Sequence, residues 1–281
     1  MWHTVLVAVV TRAPHPRLAP FLETVWASDA SWRVAPAHVE RMLPTGTMHV
    51  VVRWGGTPVV LVDDERGLSR HVIGHAIASG ARSRAYLKDA SAPACAVGAQ
   101  LRPGAGLALF GVAADELAER HTELGELWAE ARSLPDRLAS AGSLEAALTV
   151  FETFVLAHVP RVRAVHPAIA AALARFASDP LVPIRDVVAQ SGMSHRAFLT
   201  AFSRAVGLGP KVFKRVGRFQ RAVRLLGEGG SPADVAVDAG YADQPHLTRE
   251  LVAIGGVTPS ELRRLKVRSN HVPVERPGPR A

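Results

Sequence analysis

The chain has 281 residues, 48% of them apolar and 21% charged, with a formal net charge of +8. That length allows two domains with cores of their own, and the composition is that of a soluble globular protein. A single cysteine, Cys95, excludes an internal disulfide framework and fits the reducing cytoplasm. The apolar start, Met1 to Val10, is too short to cross a membrane and has no basic run before it.

From the N-terminus, short β-like runs alternate with turn signals. Strands are expected at Met48 to Arg53, Val59 to Val62, Val72 to Ala78, Ala85 to Leu87, Ala94 to Leu101 and Leu107 to Phe110. Gly55–Gly56, Asp63–Asp64, Gly80, Pro93 and Pro103–Gly104 separate them. Frequent turns between short strands point to a sandwich or small barrel. The period then changes to that of helices at Ala113 to Arg120, Leu124 to Glu130, Leu134 to Ala139 and Leu144 to His158, the last capped by Ser143. Pro160 to Pro167 reads as a short basic connector.

The last third contains one pattern twice, 48 residues apart: DVVAQSGMSHRAFLTAF from Asp186 and DVAVDAGYADQPHLTREL from Asp234. Gly192 matches Gly240 and Thr200 matches Thr248, while Phe198 matches Leu247 with a slip of one residue. Each copy runs on to a Gly-x-x-Pro, Gly207 to Pro210 and Gly256 to Pro259. Two helices joined by a glycine turn form the unit that lays a helix in the DNA major groove. Ser194 and Asp243 are suited to cap the second helix of each unit. With Phe198, Phe202, Leu247 and Leu251 buried, the outward residues are His195, Arg196 and Thr200 in the first copy. In the second they are Gln244, His246, Thr248 and Arg249. Arginine pairs with guanine, glutamine with adenine, and threonine touches the thymine methyl, so these are candidate base readers.

Charge supports the same conclusion. Residues 1–166 carry 16 basic and 16 acidic side chains, whereas residues 167–281 carry 17 against 9. Eight basic residues and no acidic one lie between Val187 and Gly227, the footprint expected for phosphate binding. Ser194, Arg215 and Arg218 are the candidate backbone contacts.

GYADQPHLTREL followed by GGVTPSELRR, Gly240 to Arg264, resembles the signature of the AraC/XylS family of transcription regulators. The resemblance covers the C-terminal hundred residues. It implies seven helices in two subdomains joined by a long linker helix, which Lys211 to Leu226 fits, with Val212, Phe219, Val223 and Leu226 as its apolar stripe. Two positions depart from the family: Thr200 stands where an arginine is usual, and Val188 where a small residue is usual. RMLPTGTMHVVVRWGG from Arg41, the segment around Arg102 and ELGELW near Trp128 resemble poorly characterised sensor domains of some AraC-like regulators.

The expected fold is therefore an α+β N-terminal domain, a small β barrel or sandwich plus helices, followed by an all-α double helix-turn-helix domain. The expected boundaries are 1–160 for the sensor, 161–266 for the DNA-binding domain and 267–281 for a disordered tail. Trp54, Tyr86 and Arg102 are the candidate effector contacts, set against plain core-filling and loop-bonding roles. His71 and His75, on one face of a strand, lack a third ligand at a metal-site spacing, so no metal and no cofactor are expected. The expected partners are double-stranded DNA, a small-molecule effector, RNA polymerase where the regulator activates, and a second copy of the chain; no membrane partner is expected. A DNA-targeted enzyme is disfavoured by the lone cysteine and the lack of a nucleophile elbow or phosphate loop. An architectural DNA binder is disfavoured by the neutral first half.

Overall fold

The computed structural model describes residues 9–29, 39–64, 69–92, 94–159, 165–265 and 270–274. The first eight residues of the apolar start, Pro93 and residues 160–164 of the connector lie outside them. The first half contains β1 (Val9–Arg12), β2 (Leu22–Ser28), β3 (Val39–Met42), β4 (His49–Trp54), β5 (Val59–Val62), β6 (Arg70–Gly74), β7 (Ala76–Ser79), β8 (Tyr86–Asp89) and β9 (Cys95–Leu101). After these come α1 (Ala105–Phe110), α2 (Ala114–Leu117), β10 (His121–Glu123), α3 (Leu124–Leu127), α4 (Leu134–Ala139) and α5 (Leu144–His158). The second half contains α6 (Pro167–Ser178), α7 (Ile184–Gln190), α8 (His195–Val206), α9 (Pro210–Gly227), α10 (Pro232–Asp238), α11 (Gln244–Gly255), α12 (Pro259–Arg264) and β11 (His271–Pro273).

The strands form two antiparallel sheets. One runs β1-β2-β9-β4-β7-β10 and the other β11-β3-β8-β5-β6. Alternation along β4 explains the six-stranded sheet: Val50 and Val52 are buried beneath the helices, while His49, Val51 and Arg53 take the other face. Leu109, Phe110, Trp128, Leu134, Leu148, Phe151 and Phe154 close the core over Val25, Val50, Ala78, Val97 and Leu101. Glu152, buried in that layer on α5, accepts hydrogen bonds from the Arg12 guanidinium and the His15 backbone N–H, tying β1 and its turn to the helix.

Four expectations change in the structure. Leu107 to Phe110, expected as a strand, belongs to α1, which starts and ends on Gly104 and Gly111, both left-handed. A short apolar run carries too little periodicity to separate strand from helix. The expected strand Val72 to Ala78 breaks at Gly74–His75, where the chain leaves the five-stranded sheet for the six-stranded one. The expected helices Ala113 to Arg120 and Leu124 to Glu130 shrink to four residues each, because β10 between them pairs with β7. Finally, part of the expected disordered tail is ordered: β11 pairs with β3, and Val272 is 1% exposed.

The seven helices α6 to α12 form two cores. Ile169, Phe176, Val187, Phe198 and Phe202 fill one, and Val235, Leu247, Leu251, Ile254 and Leu262 the other. The linker helix α9 spans 18 residues, about 27 Å at the α-helical rise. Its apolar stripe serves both cores and the core of the first half: Val212 and Phe213 pack toward the first half, and Phe219, Ala222, Val223 and Leu226 toward the second subdomain. The division near residue 160 is therefore not a division of cores. Leu208 is buried with the sensor residues, and Leu43 of the sensor is buried with the second subdomain.

Phe219 is fully buried, with its ring against Gly255 of α11. Truncation there leaves a large cavity, so Phe219→Ala is expected to cost about 3–5 kcal/mol of stability, measured by urea unfolding of the full chain. A loss below about 1 kcal/mol would mean that α9 is not the shared wall of these cores.

Candidate nucleic-acid interface

Each helix-turn-helix unit is built the same way. α7 ends at a turn through Gly192 (φ 69°) and α10 at a turn through Gly240 (φ 80°), a left-handed conformation that side chains with a Cβ adopt at a cost. Ser194 then caps α8 by accepting from the Ala197 N–H at 3.3 Å, and Asp243 caps α11 by accepting from the His246 N–H at 2.6 Å. The units close alike, on left-handed Gly207 and Gly256 followed by Pro210 and Pro259 in the first turn of the next helix.

The expected readers divide into two groups. His195, Arg196 and Thr200 on α8, and Gln244 and Arg249 on α11, are exposed. His246 and Thr248 are half-buried. The His246 ring meets Tyr241 edge-on at 5.3 Å, and its Nδ1 accepts from the Ala242 N–H at 3.4 Å. The Thr248 hydroxyl donates to the Gln244 carbonyl at 3.0 Å. His246 thus contacts the turn before α11 and Thr248 its own helix, while Gln244 and Arg249 stand exposed.

The backbone candidates divide too. Ser194 is exposed at the start of α8. Arg215 does not point freely outward: its Nε and Nη2 donate to the two carboxylate oxygens of Glu250 at 2.8 and 2.7 Å. Arg218 lies with its guanidinium 5.4 Å from the centre of the Tyr241 ring. Of the remaining basic run, Lys214 donates to the Val182 carbonyl and Arg224 pairs with Glu228, while Arg196, Arg204, Lys211 and Arg221 are exposed. Glu250 was not legible as a partner of Arg215, because 35 residues separate them.

The effector candidates do not form one pocket. Trp54 on β4 is half-buried at the edge of the sensor core, opposite Cys95. Arg102 donates from Nε to the Ala19 carbonyl at 2.8 Å, the loop-bonding role weighed against ligand binding. Tyr86 on β8 belongs to the other sheet and lines a cleft of about 230 Å³ with Arg41, Arg84 and Ile254, at the seam between the halves. His71 pairs with Asp63 at 2.9 Å, whereas His75 lies in the bend after Gly74 with its Nδ1 buried and unpartnered. Among the described residues, no three His, Cys, Asp or Glu side chains gather as metal ligands do.

A polar row crosses the six-stranded sheet on the face away from the helices. Registered pairing places Gln100, His49, Ser79 and His121 side by side. The His49 Nε2 meets the Thr45 hydroxyl at 2.8 Å; the His121 Nδ1 faces Arg82 at 3.3 Å and its Nε2 the Ser79 hydroxyl at 3.3 Å. Tyr86 closes on His121 edge-on at 4.6 Å, and burial pushes its hydroxyl up to about 12. Burial lowers both imidazoles to about 4, with the charges of His271 and Arg82 adding to it at His49 and His121 respectively.

Comparison with known families matches residues 187–265 to the Helix-turn-helix domain model and residues 10–123 to the Domain of unknown function DUF6597. Among curated proteins, none matches this sequence. Similar solved structures include ToxT from Vibrio cholerae, 12% identical over 93% of this chain and 99% of that one, with a TM-score of 0.49. Another, ToxT from Vibrio cholerae O395 bound to (E)-4-(8-methylnaphthalen-1-yl)but-3-enoic acid, is 12% identical over 92% and 99%, with a TM-score of 0.47. Among the described residues, no helix is long and apolar enough to cross a membrane.

Two outcomes follow from this geometry. Arg249→Ala is expected to cost about 1–3 kcal/mol on a selected duplex and to relax preference at one base pair, measured by competition binding. Equal losses on selected and random DNA would remove Arg249 from the readers. The second concerns pH. The folded imidazoles of His49 and His121 sit below the unfolded value of about 6.5, so the unfolded chain binds more protons between these values. Their stabilisation is complete above about pH 6.5 and is lost as the pH falls toward 4. Urea midpoints should fall over that window and the fall should flatten in His49→Gln/His121→Gln; parallel profiles for both proteins would contradict the assignment.

Proposed function

We propose that this DNA-binding transcription regulator, in which an AraC-type helix-turn-helix domain follows a DUF6597 domain, reads two successive major grooves with α8 and α11. Arg196, His195 and Thr200 read from the first helix and Gln244 and Arg249 from the second, with Ser194 and Arg218 placed for the backbone. The observation that carries this reading is the pair of capped helices with exposed readers, both seated on one linker helix, α8 against Phe213 and α11 against Arg215 and Phe219. Thr200 offers less to a base edge than an arginine, so discrimination is sharper under α11.

The regulator works in the cytoplasm, uses no cofactor to bind DNA, and responds to a small molecule through its first half. Contact between the halves supports that response: the Ala85 N–H donates to the Ile254 carbonyl near the end of α11 at 2.7 Å. A sensor that shifts at this point acts on a reading helix directly. RNA polymerase and a second copy of the chain are the further partners of an activating form.

Selection by the full chain from a random duplex pool is expected to enrich a site of about two helical turns. Affinity should fall with salt on a slope of about −0.9 per phosphate neutralised. A folded full chain that enriches no sequence over the starting pool would refute the reading.

A further inference from the structure

The two recognition helices are held by different physics. Among the described residues, the contacts that reach α8 from other helices are apolar: Phe202 packs with Phe176 of α6 and Phe213 of α9, and Phe198, stacked beside Phe202, is buried in the same core. α11 buries Leu247 and Leu251 in the same way, and in addition its Glu250 receives both hydrogen bonds of the Arg215 fork from α9. In the apolar register that matches Phe198 with Leu247 and Phe202 with Leu251, Ala201 occupies the position of Glu250. Among the described residues, the first unit thus has no counterpart of this pair.

We propose that Arg215 and Glu250 form a latch that sets the rotation of α11 about its own axis and so aims Gln244 and Arg249 at the bases. Successive residues of a helix lie about 100° apart around its axis, so fixing Glu250 against α9 fixes where its neighbour Arg249 points. Apolar packing alone is non-directional and leaves a helix free to roll by a rotamer change, whereas a two-bond fork accepts a narrow range of angles. The pair is partly shielded, with the Glu250 side chain 15% and the Arg215 side chain 38% exposed. The Arg215 hydrogen bonds hold the Glu250 carboxyl below the usual carboxylate range, and the charges of Arg215, Arg218 and His246 add to it. Next to the latch, Arg218 lies over Tyr241, and the Arg218 Nε and the Tyr241 hydroxyl are buried with no hydrogen-bond partner among the described residues.

Arg215 is on this view a positioning residue, and its charge is spent on Glu250. A phosphate contact in its place predicts the opposite pattern of effects. The pairing has a second consequence: it neutralises an acidic side chain that would otherwise repel the backbone next to a reading helix.

The latch rests on the proposed DNA reading, so the test uses the full chain on the duplex that the wild type selects, with random duplex as reference and thermal unfolding as a check on folding. Glu250→Gln is expected to lower the ratio of selected to random affinity about tenfold while binding random DNA at least as well as wild type. The loss should map to base pairs under α11. The reversal Arg215→Glu/Glu250→Arg is expected to restore the ratio to within about threefold of wild type, with the salt slope unchanged. A phosphate contact at Arg215 gives instead a reversal that is not rescued and a salt slope smaller by about one phosphate, and that result overturns the latch alone. Should the reversal fail to fold, Arg215→Gln/Glu250→Gln replaces it: losses in the double variant no greater than in either single one support the latch, and additive losses overturn it. A wild type that selects no sequence overturns the functional reading, and the latch with it.

Discussion

The apolar stripe of the linker helix is the constraint on which the rest of this molecule depends. A single 18-residue helix carries Val212 and Phe213 toward the sensor and Phe219, Ala222, Val223 and Leu226 toward the second reading unit. Phe213 also stacks on Phe176 and Phe202 of the first unit. Three cores therefore share one wall. Hydrophobic burial of this kind carries most of the folding free energy, so loosening α9 weakens all three at once. The polar flank of the helix has separate duties, with Arg215 holding α11 and Gln220 donating to the Pro44 carbonyl of the sensor at 2.6 Å.

This arrangement joins the first half to both helix-turn-helix units. Leu43 is buried with the second unit, and the Leu43 N–H donates to the Asn270 carbonyl at 2.8 Å, beside the strand that the C-terminal segment adds to the sensor sheet. On the other side, Gly207 at the end of α8 packs against Ala81 and the Ala114 carbonyl, close enough that a Cβ there would approach the oxygen to 3.0 Å. Both reading helices thus touch the sensor at their C-terminal ends, while their N-terminal turns stay open to solvent. Packed contacts of this kind rearrange between discrete states rather than stretch. On the proposed reading, a change in the first half would reach α8 and α11 as a change in helix position.

The second half was far more legible than the first, for physical reasons. Repeated spacing, glycine turns at Gly192 and Gly240, and caps at Ser194 and Asp243 are local signals, and the structure places all of them as the sequence suggests. β5, α4 and α5 were equally local and fall within the expected ranges. What escaped depends on partners distant in sequence. β10 is three residues long and exists because β7 pairs with it, and β11 exists because β3, some 230 positions earlier, offers it an edge. β2 has a register shift between Leu22 and Thr24, so its buried residues Leu22, Val25 and Ala27 break the period of two, and Trp26 stands on the less buried face. The site showed the same split: exposure of Arg249 follows from helix periodicity, whereas the commitment of Arg215 to Glu250 depends on how α9 crosses α11.

One linker helix seats both candidate reading helices, and on the proposed reading this fixes their spacing on one face of the duplex. The most direct measurement of that spacing is the affinity of the full chain for its selected site after insertion of five base pairs between the two half-sites. Half a helical turn rotates one groove to the far side of the duplex, where two helices seated on one linker helix cannot both follow. Binding is expected to fall to the level of a single half-site and to return in part with a ten-base-pair insertion, where DNA bending compensates. Unchanged affinity with five inserted base pairs would contradict it.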